Sequence, residues 1–311
     1  MTGMTGMTGM NVIGLPEIRR RVSAPQAIAA MREAVLAQAR GECDTPMPMH
    51  LDLAAAGGGE VHIKSSYRKA GRHVALKVAG TYVRRPYGSI VLISVLTGET
   101  VAYLDDGGYL TDLRTAAVAA MAARELGRTD RVLGVLGSGI QARLQAQLHA
   151  EVLPLEQIHV WGRSPERAAA CAADIARLVP AVRVSVARSP AELAAHATLI
   201  ATATASRAPL LRADDVQPGS HISAVGADSP GKQELDPELL RRAALLLVDS
   251  RPQCERLGEL QHAPSERDRA VELGAFCAAP VAHDRAGITV ADFTGLGVED
   301  LFIAEACAAS G

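Results

Sequence analysis

Two rhythms of apolar and polar positions meet near residue 127. Before it, after a helical stretch over 25–40, short segments alternate with the two-residue period of half-buried strands: 49–54, 60–67, 73–80, 89–97 and 101–106. Turns at 56–59 and 85–88 separate them and predict an antiparallel sheet that needs another layer over one face. Beyond it, near-continuous apolar runs at 131–136, 158–161, 182–186, 199–204, 221–226, 245–249 and 288–293 alternate with helical stretches. Strands buried on both faces and separated by helices predict a parallel, doubly covered sheet. An Ala-rich helix over 109–126, stopped by Gly127, joins the halves, and a last helix covers 298–309.

Composition narrows the function classes. The 311 residues carry 32 basic and 34 acidic side chains, a net charge of −2, without a basic tract. That balance, with aromatics at only 3%, argues against a nucleic-acid surface and against an anionic membrane. No apolar run reaches the roughly 18 residues that span a bilayer. The opening Met-Thr-Gly repeat has neither the basic nor the apolar region of a secretory signal, so residues 1–12 are expected to be disordered and the protein cytoplasmic. Cys43, Cys171, Cys254, Cys277 and Cys307 are scattered without zinc-ligand spacing, which predicts buried, reduced thiols and no metal site. His149, His196 and His262 form no constellation with Cys or Asp and read as structural.

The run over 131–136 leads into Gly137-Ser138-Gly139-Ile140-Gln141-Ala142, a strand, a G-x-G-x-x-A turn and a helix in the order of a dinucleotide-binding fingerprint. Gly137 allows the tight turn, Gly139 the close approach of a pyrophosphate, and Ala142 close helix–strand packing. The second strand ends in Gly162-Arg163-Ser164-Pro165 instead of the acid that binds a ribose 2′-hydroxyl. A guanidinium beside a hydroxyl suits a 2′-phosphate and favours NADP(H) over NAD(H), although Ser164 also fits as the cap of a helix opened by Pro165. The expected fold is α/β: a Rossmann dinucleotide-binding domain over 114–296, and a smaller α+β domain from 13–113 with 297–311.

Three further residues suit an anionic substrate. Strand alternation places Lys77 on one face with Ala75 and Ala79, whose small side chains leave room for a cavity-lining cation. Lys64, flanked by His62 and Ser66, reads as solvated. Arg114 near a helix N-terminus opposes the macrodipole, which suits an anion site for a carboxylate or cofactor phosphate better than local stability; an ion pair with Asp105 or Asp106 is the plainer reading. Asp228 follows a buried strand, where α/β sheets bind ligands, but sits in a Gly/Pro loop where Asp is a common turn former.

Together these stretches resemble the ornithine cyclodeaminase/μ-crystallin family: Ala75-Leu-Lys77, Leu113-Arg-Thr-Ala-Ala117, Leu136-Gly-Ser-Gly-Ile-Gln-Ala-Arg143, Thr202-Ala-Thr204, Ala224-Val-Gly-Ala-Asp-Ser-Pro-Gly-Lys-Gln-Glu-Leu235, Val248-Asp-Ser250 and Thr294-Gly295. The resemblance implies a homodimer formed through the smaller domain, which binds the substrate. It implies that Lys77 and Arg114 bind the substrate carboxylate near Gly295 and that Asp228 acts in proton transfer. The implied cofactor-lining residues are Arg114, Thr115, Gly137, Ser138, Gly139, Ile140, Gln141, Arg163, Ser164, Thr202, Ala224, Val225, Gly226, Lys232 and Thr294. There are two departures. The first strand reads Thr45-Pro-Met-Pro-Met-His50, without the family's additional Arg, leaving His50 or Lys64 to replace that contact. Arg163 stands where cyclodeaminases carry an acid.

The implied chemistry is hydride transfer at a carbon bearing nitrogen and a carboxylate. An NADPH-dependent reductase of a small imino acid, such as the cyclic ketimine Δ1-pyrroline-2-carboxylate, is the leading expectation. An ornithine cyclodeaminase, which returns the same hydride and releases proline and ammonia, is the alternative. A non-catalytic NADPH-dependent small-ligand binder is the third.

Overall fold

The computed structural model describes residues 10–309. The chain divides into two compact units, one comprising the residues up to Arg114 together with those from Leu296, the other Thr115–Gly295. Of the stretch expected to be disordered, residues 1–9 lie outside the described residues, whereas Asn11 and Val12 belong to a strand and correct that expectation.

The first unit is built on a seven-stranded sheet. Its strands are β1 (Asn11–Gly14), β2 (Cys43–Asp44), β3 (Met49–Asp52), β4 (Glu60–Arg68), β5 (His73–Thr81), β6 (Pro86–Ser94) and β7 (Thr100–Asp105). They run in the order β1-β7-β6-β5-β4-β2, with β3 also paired to β4. All neighbours are antiparallel except β1 and β7, which are parallel. The turn expected at 85–88 is shorter than predicted, because Pro86 already opens β6, and a first strand position is where Pro is tolerated. Alternation places Lys64, Ser66, Ala75, Lys77, Ile90 and Leu92 on one face, and all six are buried. The helix Gly297–Ala309 covers that face, touching β4, β5 and β6, and the helix Ala24–Ala39 packs against it in turn. Gly297 fits because a Cβ there would stand 2.3 Å from the Ser65 carbonyl oxygen.

The second unit carries β8 (Val132–Leu136), β9 (Gln157–Trp161), β10 (Arg183–Val186), β11 (Leu199–Thr202), β12 (Arg207–Leu211), β13 (His221–Ala224), β14 (Gln233–Leu235), β15 (Leu245–Val248), β16 (Val271–Glu272) and β17 (Thr289–Asp292). Eight of them form one parallel sheet in the order β10-β9-β8-β11-β13-β17-β15-β16, while β12 and β14 pair separately. Alternate residues feed two cores. Leu136, Ile200, Ile222, Leu246 and Val290 pack on one side, and Leu133, Val135, Ile158, Val160 and Leu199 on the other. The winding reverses between β8 and β11, and in such sheets the crevice beyond that switch point is where dinucleotides bind. All five cysteines are buried and free, and no described helix is long and apolar enough to cross a membrane.

Candidate functional site

In the first unit, β5 carries Lys77 beneath the last helix, which brings Glu299 and Asp300 down onto it. Lys77 Nζ is 2.9 Å from Asp300 Oδ2, and Arg114 Nε is 3.2 Å from Asp300 Oδ1. Arg114 Nη1 is 3.1 Å from Glu299 Oε2. Asp105 and Asp106 are therefore not the partners of Arg114. Asp106 instead accepts from the Gly108 and Leu110 amides at the start of the helix Tyr109–Glu125, and Asp105 accepts from the Tyr87 hydroxyl. Lys64, expected in solvent, is buried at 7% exposure directly across from Lys77.

Three cations thus gather with two carboxylates in a closed environment. Burial pulls the Lys77 ammonium down to about 7; the attraction of Asp300 opposes this, while Arg114 and Lys64 add to it. Burial pushes Asp300 up, but Lys77, Arg114 and Lys64 outweigh it and hold the carboxyl below its ordinary value.

In the second unit, Gly137 has φ +137°, and a Cβ there would lie 2.5 Å from the Ala203 carbonyl oxygen. A Cβ on Gly139 would meet nothing within 4 Å, so the space over this turn is open. It is part of a cavity of about 450 Å³ whose walls include Gly137, Ser138, Gly139, Arg163, Ser164 and Arg167. Arg143 holds the turn from behind, donating to the carbonyls of Ser138 and Gly139 and pairing with Asp174. The helix Ile140–Val152 begins without a side-chain cap, whereas Ser164, Ser189 and Asp236 cap three later helices. Uncapped N–H groups, an open glycine and two arginines fit a dinucleotide pyrophosphate with a further phosphate nearby. Ile140 is exposed beside the turn and Gln141 is half-buried. Ser164 does cap its helix, accepting from the Arg167 amide at 3.3 Å and donating to Glu166. Arg167, not singled out from the sequence, shares the cavity wall with Arg163.

The other expected residues of this unit are fixed by buried acids. Glu234 accepts from the Thr202 hydroxyl at 2.6 Å, the Thr204 amide at 2.6 Å and the Gly226 amide at 2.9 Å. Asp249 accepts from the amides of Thr294 and Gly295 at 2.7 and 2.6 Å and from the Thr294 hydroxyl. Ala224 and Val225 lie at the buried end of β13, and the Val225 amide donates to the Thr202 carbonyl. Asp228 pairs with Lys232 at 2.6 Å on the half-open loop that follows. Thr115 follows Arg114 and is half-buried.

Two more acids, Glu259 and Asp292, complete this row, with Asp292 accepting from the Glu259 and Leu260 amides. Burial, with the nearby Asp249 charge, lifts Asp292 to about 7 against the opposing pull of its amide donors. A carboxyl raised on folding stabilises the fold while it keeps its proton, and that contribution is lost as pH rises toward 7. Between pH 5 and pH 8 the wild type is expected to lose about 3 kcal/mol of unfolding free energy relative to Asp292→Asn, which cannot titrate. Urea unfolding at both pH values measures this, and a constant difference between the two proteins counts against it.

His50 lies elsewhere on the first sheet, on β3, where its Nε2 is 3.1 Å from Glu60 Oε2 and its ring lies against His62. His149 is buried with Nδ1 2.8 Å from the Gln145 carbonyl, and burial takes it down to about 4. His196 stacks on His159, and His262 Nε2 lies 2.8 Å from the Lys232 carbonyl. Sequence reading missed Asp300, Glu299, Glu234 and Asp249, although Glu234 and Asp249 fall inside the stretches that carried the family resemblance.

The model of the ornithine cyclodeaminase/mu-crystallin family matches residues 17–308. The iminosuccinate reductase of Paracoccus denitrificans is 38% identical over 228 residues, covering 70% of this chain and 68% of its own. Its crystal structure in complex with NAD+ aligns with a TM-score of 0.88 and 29% identity over 97% of this chain and 96% of that one. The mouse ketimine reductase mu-crystallin is 33% identical over 229 residues, 73% of this chain and 70% of its own. An archaeal alanine dehydrogenase dimer with bound NAD aligns with a TM-score of 0.88 and 26% identity over 97% and 95% of the two chains. A parallel sheet with an open glycine turn at its switch point, a buried lysine on a separate sheet beside a buried helical arginine, and a match over nearly the whole length lead to one conclusion: this chain belongs to the ornithine cyclodeaminase/mu-crystallin family.

Proposed function

We propose that the protein is an NADPH-dependent reductase of a small α-imino acid, with a cyclic ketimine such as Δ1-pyrroline-2-carboxylate as the type substrate. The observation that carries this reading is the burial of Lys64, Lys77 and Arg114 around Asp300, a cationic cluster whose chemistry suits a substrate carboxylate. The nicotinamide cofactor, when bound, supplies the hydride that reduces the imine carbon. Lys77 and Arg114 grip the carboxylate and so fix the adjacent C=N carbon. Positioning of this kind can supply several kcal/mol. One proton must also be held at the nitrogen as the C=N bond becomes C–N, and Asp228, paired with Lys232, is the group for it. Gly137 to Gln141, Arg163 and Ser164 hold the dinucleotide, with Arg114, Thr115, Thr202, Ala224 to Gly226, Lys232 and Thr294 lining it. The protein works as a cytoplasmic homodimer formed through its first unit, a state that mass in solution checks.

The test is to mix the protein with NADPH and Δ1-pyrroline-2-carboxylate and follow the absorbance of the reduced nicotinamide against proline formed. Equal amounts of NADPH lost and proline gained support the reading. Proline and ammonia from ornithine without net NADPH loss would replace it with cyclodeaminase chemistry, and binding without turnover would make the protein a ligand binder.

The cofactor preference has its own test. Arg163 and Arg167 line the cavity with no acid at the end of β9. Replacing both by Ala is expected to weaken NADPH by roughly ten- to a hundredfold, from lost charge-assisted contacts, while NADH changes far less. Fluorescence titration of each reduced cofactor reads this, and equal losses for the two would remove the phosphate role.

A further inference from the structure

The antiparallel pairing of β3 and β4 sets His50 opposite His62 and Asp52 opposite Glu60. Side chains two apart on a strand share a face, so His50, Glu60 and His62 converge on one side of the sheet. Glu60 Oε2 lies 3.1 Å from His50 Nε2, and Glu60 Oε1 lies 3.7 Å from His62 Nε2. The three ligand atoms all fall within 4.8 Å of one another. Separation in sequence conceals this group, because only the register of two strands joins His50 to Glu60-Val61-His62.

We propose that His50, Glu60 and His62 bind one divalent transition-metal ion, with zinc as the reference ion. Two imidazoles and a carboxylate are the donor set that Zn²⁺ takes up with a fourth position left to water. Zinc–ligand bonds of about 2.0–2.1 Å in tetrahedral geometry put donor atoms about 3.4 Å apart. The spacings must therefore close by up to about 1.4 Å, within reach of side-chain rotation on half-exposed strands. No deep desolvation opposes the ion, since His50 is exposed and the other two are half-buried.

The placement gives the ion a structural consequence. β3 is four residues long, exposed throughout, and joined to the sheet through β4. A metal bridging His50 to the two β4 ligands clips this strand in place. It also adds two positive charges to this part of the sheet. Position 62 is two residues from buried Lys64 on the same face, so the added charge extends the row of cations toward Lys77. The site stands on its own geometry and does not depend on which substrate the enzyme reduces.

The experiment uses the untagged full chain, freed of metal with a chelator, and titrates zinc chloride by calorimetry. One equivalent per chain is expected with a Kd on the order of micromolar. The double variant His50→Ala, His62→Ala is expected to lose that equivalent, and Glu60→Gln to bind at least roughly tenfold more weakly. Circular dichroism melts without metal check that each variant is folded. Zinc is then expected to raise the melting temperature of the wild type and not of the double variant. Failure of the wild type to bind one equivalent overturns the proposal, as does unchanged binding in the folded double variant. Either result would leave Glu60 as an ordinary ion-pair partner of the two histidines.

Discussion

Asp300→Ala is expected to lower the unfolding free energy by about 3–5 kcal/mol, the cost of stranding a buried charge. The side chain is 1% exposed and faces both Lys77 and Arg114. Lys77 can escape by releasing its proton, because burial already holds it near 7. Arg114 has no such escape, since a guanidinium stays charged in proteins, although Glu299 remains beside it. Most of the loss therefore falls on Arg114. Adding Lys77→Met to Asp300→Ala should recover roughly 1–2 kcal/mol by replacing a buried amine that has lost its carboxylate, and a double-mutant cycle isolates that coupling. Urea unfolding decides the matter. A loss under about 1 kcal/mol for Asp300→Ala would mean that the cations are solvated after all.

Which parts of this arrangement sequence reasoning could reach follows from the range of the forces involved. The Rossmann half announces itself locally: each buried strand is a short apolar run, and Gly137-Ser138-Gly139 follows one of them directly. The face of β5 could be read because Ala75, Lys77 and Ala79 obey a two-residue period within one strand. What closes over that face could not. Asp300 meets Arg114 across 186 residues, and in the sequence it is one acid in a mostly apolar last helix. Lys64 looked solvated for the same reason, since the cover that buries it arrives from the far end of the chain. β1 escaped notice because four residues with Val12 exposed make no period, and its existence rests on parallel pairing to β7. Pro86 suggested a turn, but only position in a strand, which pairing sets, decides whether Pro is tolerated. Ser164 fitted two roles from sequence, and the structure fills the capping one.

Lys77 should leave its signature on the pH dependence of the proposed reduction. A lysine held near 7 by burial is charged below that value and neutral above it. In the free enzyme it can grip a carboxylate only while charged, so kcat/KM is expected to hold steady on the acid side and fall about tenfold per pH unit above 7. Lys77→Arg keeps a positive charge at all these pH values and should carry the basic limb away, at a lower plateau because the planar guanidinium does not match the ammonium geometry. Lys77→Ala should cost two to three orders of magnitude in kcat/KM at pH 6.5, in the range of about 2–5 kcal/mol for truncating one side of a buried charged contact. NADPH affinity should stay within about twofold, because Lys77 is not among the residues proposed to line the dinucleotide. Initial rates across pH 5.5–9 for the three proteins, with NADPH binding followed by fluorescence, test each part separately. If Lys77→Arg keeps the same basic limb as the wild type, the titrating group is not Lys77. If Lys77→Ala retains full kcat/KM, the carboxylate is held by something else.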